Sequence, residues 1–119
     1  IKPEYKKLKE LSNNKKEFFD IAVYTTDTSA NDSSAHLRFF APYHGIDEDP
    51  VTGSANGPLL LVLRKLGLIE ENTEGKIYTF EQGDVLERKG RINVSYSPSK
   101  NELTISGKAV TVFKGELTF

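Results

Sequence analysis

The residues of this 119-residue chain best suited to chemistry lie together in Glu48-Asp49-Pro50-Val51-Thr52-Gly53-Ser54-Ala55-Asn56. An acidic run passes into small polar residues and a glycine. It then enters Gly57-Pro58-Leu59-Leu60-Leu61-Val62-Leu63-Arg64-Lys65-Leu66, a strongly apolar helix candidate. The first N–H groups of a helix, with the positive end of its macrodipole, form a cradle for an anion. Thr52, Gly53, Ser54 and Ala55 are the residues of that cradle. Gly53 permits a close backbone approach that a Cβ would block, and Ser54 adds a hydroxyl donor. Asp49 stands at the mouth of the same loop. A carboxylate beside an anion cradle suits a site that holds a carboxylate substrate and moves a proton on it. The competing role for Asp49 is a helix cap, but residues 50–53 separate it from the expected first turn. Thr52 or Ser54 can cap the helix and still leave orphan N–H groups for a ligand.

The other candidates carry less. His36 and His44 are the only histidines. His44 precedes the acidic loop and could line the site, while His36 falls on a strand. Together with Asp47, Glu48 and Asp49 they invite a metal reading, but no helix-spaced His-Glu-x-x-His pattern exists and no metal is expected. Arg38 is either a charge partner for the loop or half of a surface ion pair.

These residues need elements to hold them. Residues 3–12 read as a helix, with Pro3 and Glu4 in its first turn and Tyr5, Leu8 and Leu11 on one face. Asn13 and Asn14 end it. Residues 18–25 are rich in β-formers and read as a strand buried on part of both faces. Residues 26–34 are a polar loop. Residues 35–40 form a second strand, with Leu37 and Phe39 opposite His36, Arg38 and Phe40, stopped by Pro42. The helix over 54–66 is apolar nearly all round, which predicts an enclosed helix; Gly67 is placed to cap it. Strands follow at 77–82, 91–96, 102–106 and 109–113, with hairpin turns at 97–101 and 106–108. Ile92, Val94 and Tyr96, and Leu103 and Ile105, mark one buried face per strand. The expected fold class is α+β: an antiparallel, barrel-like sheet wrapped around a central α-helix.

Composition excludes several classes. The length corresponds to a single domain over residues 1–119, and 37% hydrophobic with 28% charged residues is ordinary globular usage. Sixteen Lys and Arg against seventeen Asp and Glu leave a net charge of −1, with no basic footprint for nucleic acid. Lys6, Lys7, Lys9, Lys15 and Lys16 read as a solvated helix face. The absence of cysteine removes disulfides, thiolate metal sites and thiol mechanisms, and is compatible with a cytoplasmic location. The apolar run 59–63 is far below the roughly 20 residues of a membrane span, and no signal peptide is evident. The lack of an initial Met suggests a piece of a longer chain.

Arg38-Phe39-Phe40-Ala41-Pro42 followed by residues 45–55 closely resembles the signature of the phenazine-biosynthesis-like (PhzF-like) family. Later segments resemble it too: Tyr78-x-Phe80-x-Gln82-Gly83, Glu87-Arg88-x-Gly90-x-Ile92-x-Val94, and Ile105-Ser106-Gly107-x-Ala109-Val110-x-Val112-x-x-Gly115-Glu116-Leu117. The resemblance spans residues 38–117 and covers only the family's C-terminal half. It implies a diaminopimelate-epimerase-like fold of two similar halves, each a sheet rolled around a helix, with the active site in the cleft between them. It places the main acid/base, a glutamate, in the N-terminal half, which is absent here. Asp49 matches the aspartate contributed by the C-terminal half, Ser54 the serine that contacts substrate, and Gly53 and Ala55 the backbone around it. The loop lacks the cysteine of the related two-thiol epimerases.

The resemblance implies a cofactor-independent isomerase acting by proton transfer on a small carboxylate, active only when paired with its N-terminal half. A half-protein is also expected to expose an apolar face, through which a homodimer could form. The alternative is a non-catalytic small-molecule-binding or structural domain that keeps the fold. No cofactor, nucleic acid or membrane partner is implied.

Overall fold

Helix α1 (Tyr5–Asn14), helix α2 (Gly53–Lys65) and six strands build the chain: β1 (Ile21–Thr25), β2 (Ser33–Ala41), β3 (Ile46–Asp49), β4 (Ile77–Gln82), β5 (Gly90–Ser97) and β6 (Glu102–Gly107). This is a computed structural model, and it describes residues 1–14, 19–70 and 74–118. The strand expectation at Phe18 and the basic pair Lys15 and Lys16 lie outside the described residues. No helix among the described residues is long and apolar enough to cross a membrane.

The strands form one sheet in the order β1-β2-β4-β5-β6, with β3 also on β2. It is mixed rather than wholly antiparallel, because β4 runs parallel to β2. The chain reaches β4 from β2 through β3 and α2, and only such a long crossover can bring two neighbouring strands parallel. On β2, β4 pairs along Ser33–Leu37, and β3 takes up from Phe39 to Ala41. Asp49, opposite Phe39, and Gln82, opposite Leu37, therefore meet along that strand.

One face of the sheet forms the core with α2. Ala35 and Leu37 of β2, Tyr78 and Phe80 of β4, and Ile92 and Val94 of β5 pack on Leu59, Leu60 and Leu63. The opposite face is covered locally by α1, where Tyr5 meets Phe40 edge-on at 6.1 Å between centroids. Helix α2 ends as its sequence indicates. Gly67 takes a left-handed φ of +66°, its N–H donates to the Arg64 carbonyl, and the Leu68 N–H donates to that of Leu63. These two bonds make a Schellman cap.

Several sequence expectations differ from the structure. Helix α2 is not enclosed: Leu61 is 40% exposed and Val62 44%, because the sheet covers one side only. A barrel closed around the helix is not what these strands form. Strand β1 is an edge strand: Ala22 and Val23 are exposed, and Ile21 on one face and Tyr24 on the other are half-buried. Residues 109–113 form no strand; Val110 is 84% exposed and Val112 93%, and no neighbour supplies the ladder that a strand needs. The turn over 97–101 does form the β5–β6 hairpin, but without a following strand the 106–108 turn closes none. Strand β3 was unforeseen, since its four residues Ile46-Asp47-Glu48-Asp49 carry little β propensity.

The one-sided packing of α2 gives a direct test. Leu60→Ala, at a fully buried position, should lose about 2–5 kcal/mol of stability. Leu61→Ala should lose under about 1 kcal/mol. Denaturant unfolding of both variants measures this; equal losses would mean that α2 is enclosed on both sides.

Candidate functional site

The loop between β3 and α2 is held by a buried polar network, and Gln82 is its hub. Tyr78, Phe80 and Gln82 share one face of β4 by strand alternation, so Gln82 points toward α2 and is 1% exposed. Its Oε1 accepts the Thr52 backbone N–H at 3.0 Å and Asn56 Nδ2 at 2.7 Å. Its Nε2 donates to the Asp49 main-chain carbonyl at 2.7 Å and to Thr52 Oγ1 at 2.9 Å. Thr52 Oγ1 in turn donates to Asp49 Oδ2 at 2.5 Å. Asn56 Nδ2 also donates to the Thr52 carbonyl at 2.8 Å. A buried amide whose donors and acceptor are all engaged rigidifies what it touches, and here that is the Asp49–Thr52 loop.

The structure gathers the residues singled out in the sequence, but with different duties. Asp49 is half-buried, and its Oδ1 takes no hydrogen bond among the described residues. Thr52 is 7% exposed, with both its N–H and its hydroxyl engaged inside the network. The Ala55 N–H turns back to the Thr52 carbonyl at 3.3 Å. Gly53 and Ser54, the first two residues of α2, keep the N–H groups that a helix start leaves unpaired. Ser54 is exposed. Ser54 and Ala55 line an apolar trough of about 310 Å³ between α2 and the β1–β2 pair. Asp20 lies at the same trough, 3.6 Å from His44 Nε2.

Arg38 belongs elsewhere. Its guanidinium grips Glu48 with two bonds of 2.8 Å, and Tyr5 donates to the same carboxylate at 3.4 Å. Hydrogen bonding to Glu48 pushes Arg38 up from its ordinary value. Burial, then the Glu48 charge, pushes the Tyr5 phenol up. This pair ties α1, β2 and β3 together behind Asp49.

A second polar cluster occupies the opposite face of the sheet. His36, Glu81 and Asp84 bring potential ligand atoms within 4.8 Å of one another. The two carboxylates already have cations: Arg91 lies 3.4 Å from Glu81 and Lys89 3.7 Å from Asp84. Glu81 also accepts the N–H groups of Ser29 at 2.9 Å and Ala30 at 2.8 Å. The cluster is thus balanced by its own side chains, and a metal would have to displace them. Burial alone would raise the Glu81 carboxyl; the Ser29 and Ala30 N–H groups and Arg91 outweigh it and hold the group below its ordinary 4.5.

Gln82, Asn56 and Glu81 escaped sequence reasoning as site residues. The signal was present for the first two: each is a polar residue on an otherwise apolar face, Gln82 after Tyr78 and Phe80, Asn56 before Leu60 and Leu63. Glu81 depended on the 26–32 loop folding over it, which no local pattern shows.

Comparison with known proteins bears on this site. The model of the family described as phenazine biosynthesis-like protein matches residues 2–115. An uncharacterized isomerase of Clostridium acetobutylicum is 43% identical over 102 residues, covering 80% of this chain and 32% of that protein. One from Salmonella typhimurium is 39% identical over 82 residues, covering 66% of this chain and 28% of the relative. The chain therefore spans about a third or less of the length of these relatives. The crystal structure of a Bacillus anthracis phenazine biosynthesis protein of the PhzF family superposes with a TM-score of 0.56 at 24% identity, covering 72% of this chain and 29% of that one. That likeness is one of fold.

The Glu81 environment predicts a pH-dependent contribution. A lowered carboxyl value stabilises the folded chain fully above the unfolded value and loses that effect as pH falls through the folded one. Glu81→Gln should therefore cost about 1–3 kcal/mol at neutral pH. The gap between variant and parent should shrink below the ordinary value of 4.5. Urea unfolding across a pH series measures it, and a gap independent of pH would contradict the assigned ionisation.

Proposed function

The chain belongs to the phenazine biosynthesis-like (PhzC-PhzF) family, and on that premise we propose that it is one side of a cofactor-independent isomerase acting on a small carboxylate. The observation that carries this reading is the state of Asp49. Among the described residues, one of its oxygens is held by Thr52 and the other has no partner, four residues before a helix start whose first two N–H groups also have none. Relatives sharing 43% and 39% identity carry the name isomerase, which supports the class of reaction.

In this reading the substrate carboxylate rests on the N–H groups of Gly53 and Ser54 and on the Ser54 hydroxyl. Ala55 shapes the wall beside them, and Thr52 serves the site through Asp49. Asp49 Oδ1 takes a proton from a substrate carbon. The C–H electron pair stays on the substrate, delocalised toward its unsaturated neighbour, and a proton returns at another carbon. The second acid/base comes from a further half of the protein, absent from these 119 residues. That half closes over the site and makes the cleft. Strands beyond those present complete the barrel over the exposed side of α2, where Leu61 and Val62 await cover. In isolation, the same apolar side favours a homodimer.

Two measurements test the proposal. In the present chain, titration with acetate or phosphate should move the amide resonances of Gly53 and Ser54 before any others; unmoved resonances would remove the cradle. In the protein carrying both halves, solvent deuterium should enter a substrate carbon during turnover. There, Asp49→Asn should lower turnover on the order of 10²–10⁴-fold with a much smaller change in binding. Unchanged turnover would demote Asp49 to a loop-organising residue. The 119-residue chain alone should show no turnover.

A further inference from the structure

We propose that Gln82 is a positioning residue that sets the direction of every hydrogen bond around Asp49. It makes Oδ2 an obligatory acceptor and leaves Oδ1 as the one oxygen able to exchange a proton. The inference rests on the reading of Asp49 given above and deepens it.

The direction follows from groups that have no choice. A backbone N–H can only donate, so the Gln82 atom 3.0 Å from the Thr52 nitrogen is the amide oxygen. Asn56 agrees independently. Its nitrogen must face the Thr52 carbonyl, which can only accept, and the same nitrogen then donates to Gln82 Oε1. Two fixed donors thus set one orientation of the Gln82 amide. The far end of Gln82 is therefore NH₂. One hydrogen goes to the Asp49 carbonyl, another acceptor without choice, and the second to Thr52 Oγ1. Thr52 Oγ1, having accepted from Gln82, turns its single hydrogen to Asp49 Oδ2. Turning the Gln82 amide over would set its NH₂ against the Thr52 N–H and its oxygen against the Asp49 carbonyl in a buried site. Asn56 Oδ1 is left buried and unpartnered by this arrangement. Turning that amide over would place its oxygen against both the Thr52 carbonyl and Gln82 Oε1, which is worse.

Asp49 is thereby presented through a single oxygen. An oxygen that permanently receives the Thr52 hydroxyl hydrogen carries no proton of its own, and Oδ1 alone faces the reaction. Thr52, read from sequence as a substrate contact, is in this scheme the link through which Gln82 acts.

The test needs no substrate. In ¹³C,¹⁵N-labelled chain, the Thr52 hydroxyl proton should be visible in slow exchange with solvent. It should show a through-bond coupling to the Asp49 carboxyl carbon. Gln82→Glu keeps the shape and the acceptor toward Thr52 N–H but replaces the NH₂ by oxygen. The hydroxyl should then turn to Glu, and the coupling to Asp49 should vanish while the α2 amides stay protected. If that variant does not fold, a second pair decides: Thr52→Ser should keep a slowly exchanging hydroxyl coupled to Asp49, and Thr52→Val should leave no such signal. A merely structural role would not tie the coupling to the polarity of residue 82. The proposal is overturned by a freely exchanging Thr52 hydroxyl in the parent chain, by its coupling to Gln82 instead of Asp49, or by persistence of the Asp49 coupling in Gln82→Glu. Deuterium incorporation reports separately on the isomerase reading. Its failure with the coupling intact would remove the reaction and leave the hydrogen-bond direction standing.

Discussion

The buried amide of Gln82 is the constraint on which the site depends. It stands where β4 ends against β2, on the core side of the sheet, and it is spent on the Asp49–Thr52 loop and on Asn56 of α2. A loop that contains Pro50 and leads into a helix has few backbone hydrogen bonds of its own. The side chain of a strand residue supplies them instead. Because the strand is fixed by its ladder, the loop inherits the rigidity of the sheet. Gly83, with φ +86°, lets the chain turn away directly after Gln82. A Cβ there would fall 2.6 Å from the Pro50 carbonyl, so the turn after β4 and the loop before α2 fit against each other without room for a side chain.

The two faces of the sheet divide the labour. The inner face is apolar except at its end, where Gln82 and Asn56 meet. The outer face carries charge, and its charges are held in balanced sets. Arg38 and Glu48 lock α1 and β3 to β2. Glu81 ties the 29–30 turn to β4. A wholly buried carboxylate without those partners would be strongly destabilising. With them it anchors a polar loop whose only apolar side chain is the methyl of Ala30. The reactive candidate is thus built from neutral amides and hydroxyls, while the ion pairs stay behind it as scaffold.

Helix α2 shows what is unfinished in the fold. Its buried stripe packs on β2, β4 and β5, yet Leu61, Val62 and Leu66 remain open to solvent. The segment after β6 places Val110, Val112, Phe113 and Leu117 in solvent as well. Exposed apolar residues on α2 and after β6 are what a further half of the protein would cover under the proposed reading. The relatives, of which the chain covers 32% and 28%, have the length to provide it.

By itself the sequence determined most of the elements and singled out the loop proposed as the site. Helix α2, its Gly67 cap, β4 and the β5–β6 hairpin follow from periodicity and turn chemistry, which act over neighbouring residues. The 48–56 stretch stood out because an acidic residue, small polar residues and an apolar helix follow one another without interruption. The sequence misled where a conclusion required knowing what lay on the other side. An all-apolar helix reads as enclosed, but its environment is set by strands that must be present to cover it. Residues 109–113 have the composition of a strand, but a strand exists only with a partner. Only the tertiary structure decided that β2 and β4 run parallel, that β3 ends beside β4, and that Thr52 turns its hydroxyl to Asp49. The first two join residues more than thirty positions apart, and the third depends on Gln82, 30 residues from Thr52. They rest on directional hydrogen bonds, of the backbone in the ladder and of side chains around Gln82, which no local pattern of residues encodes.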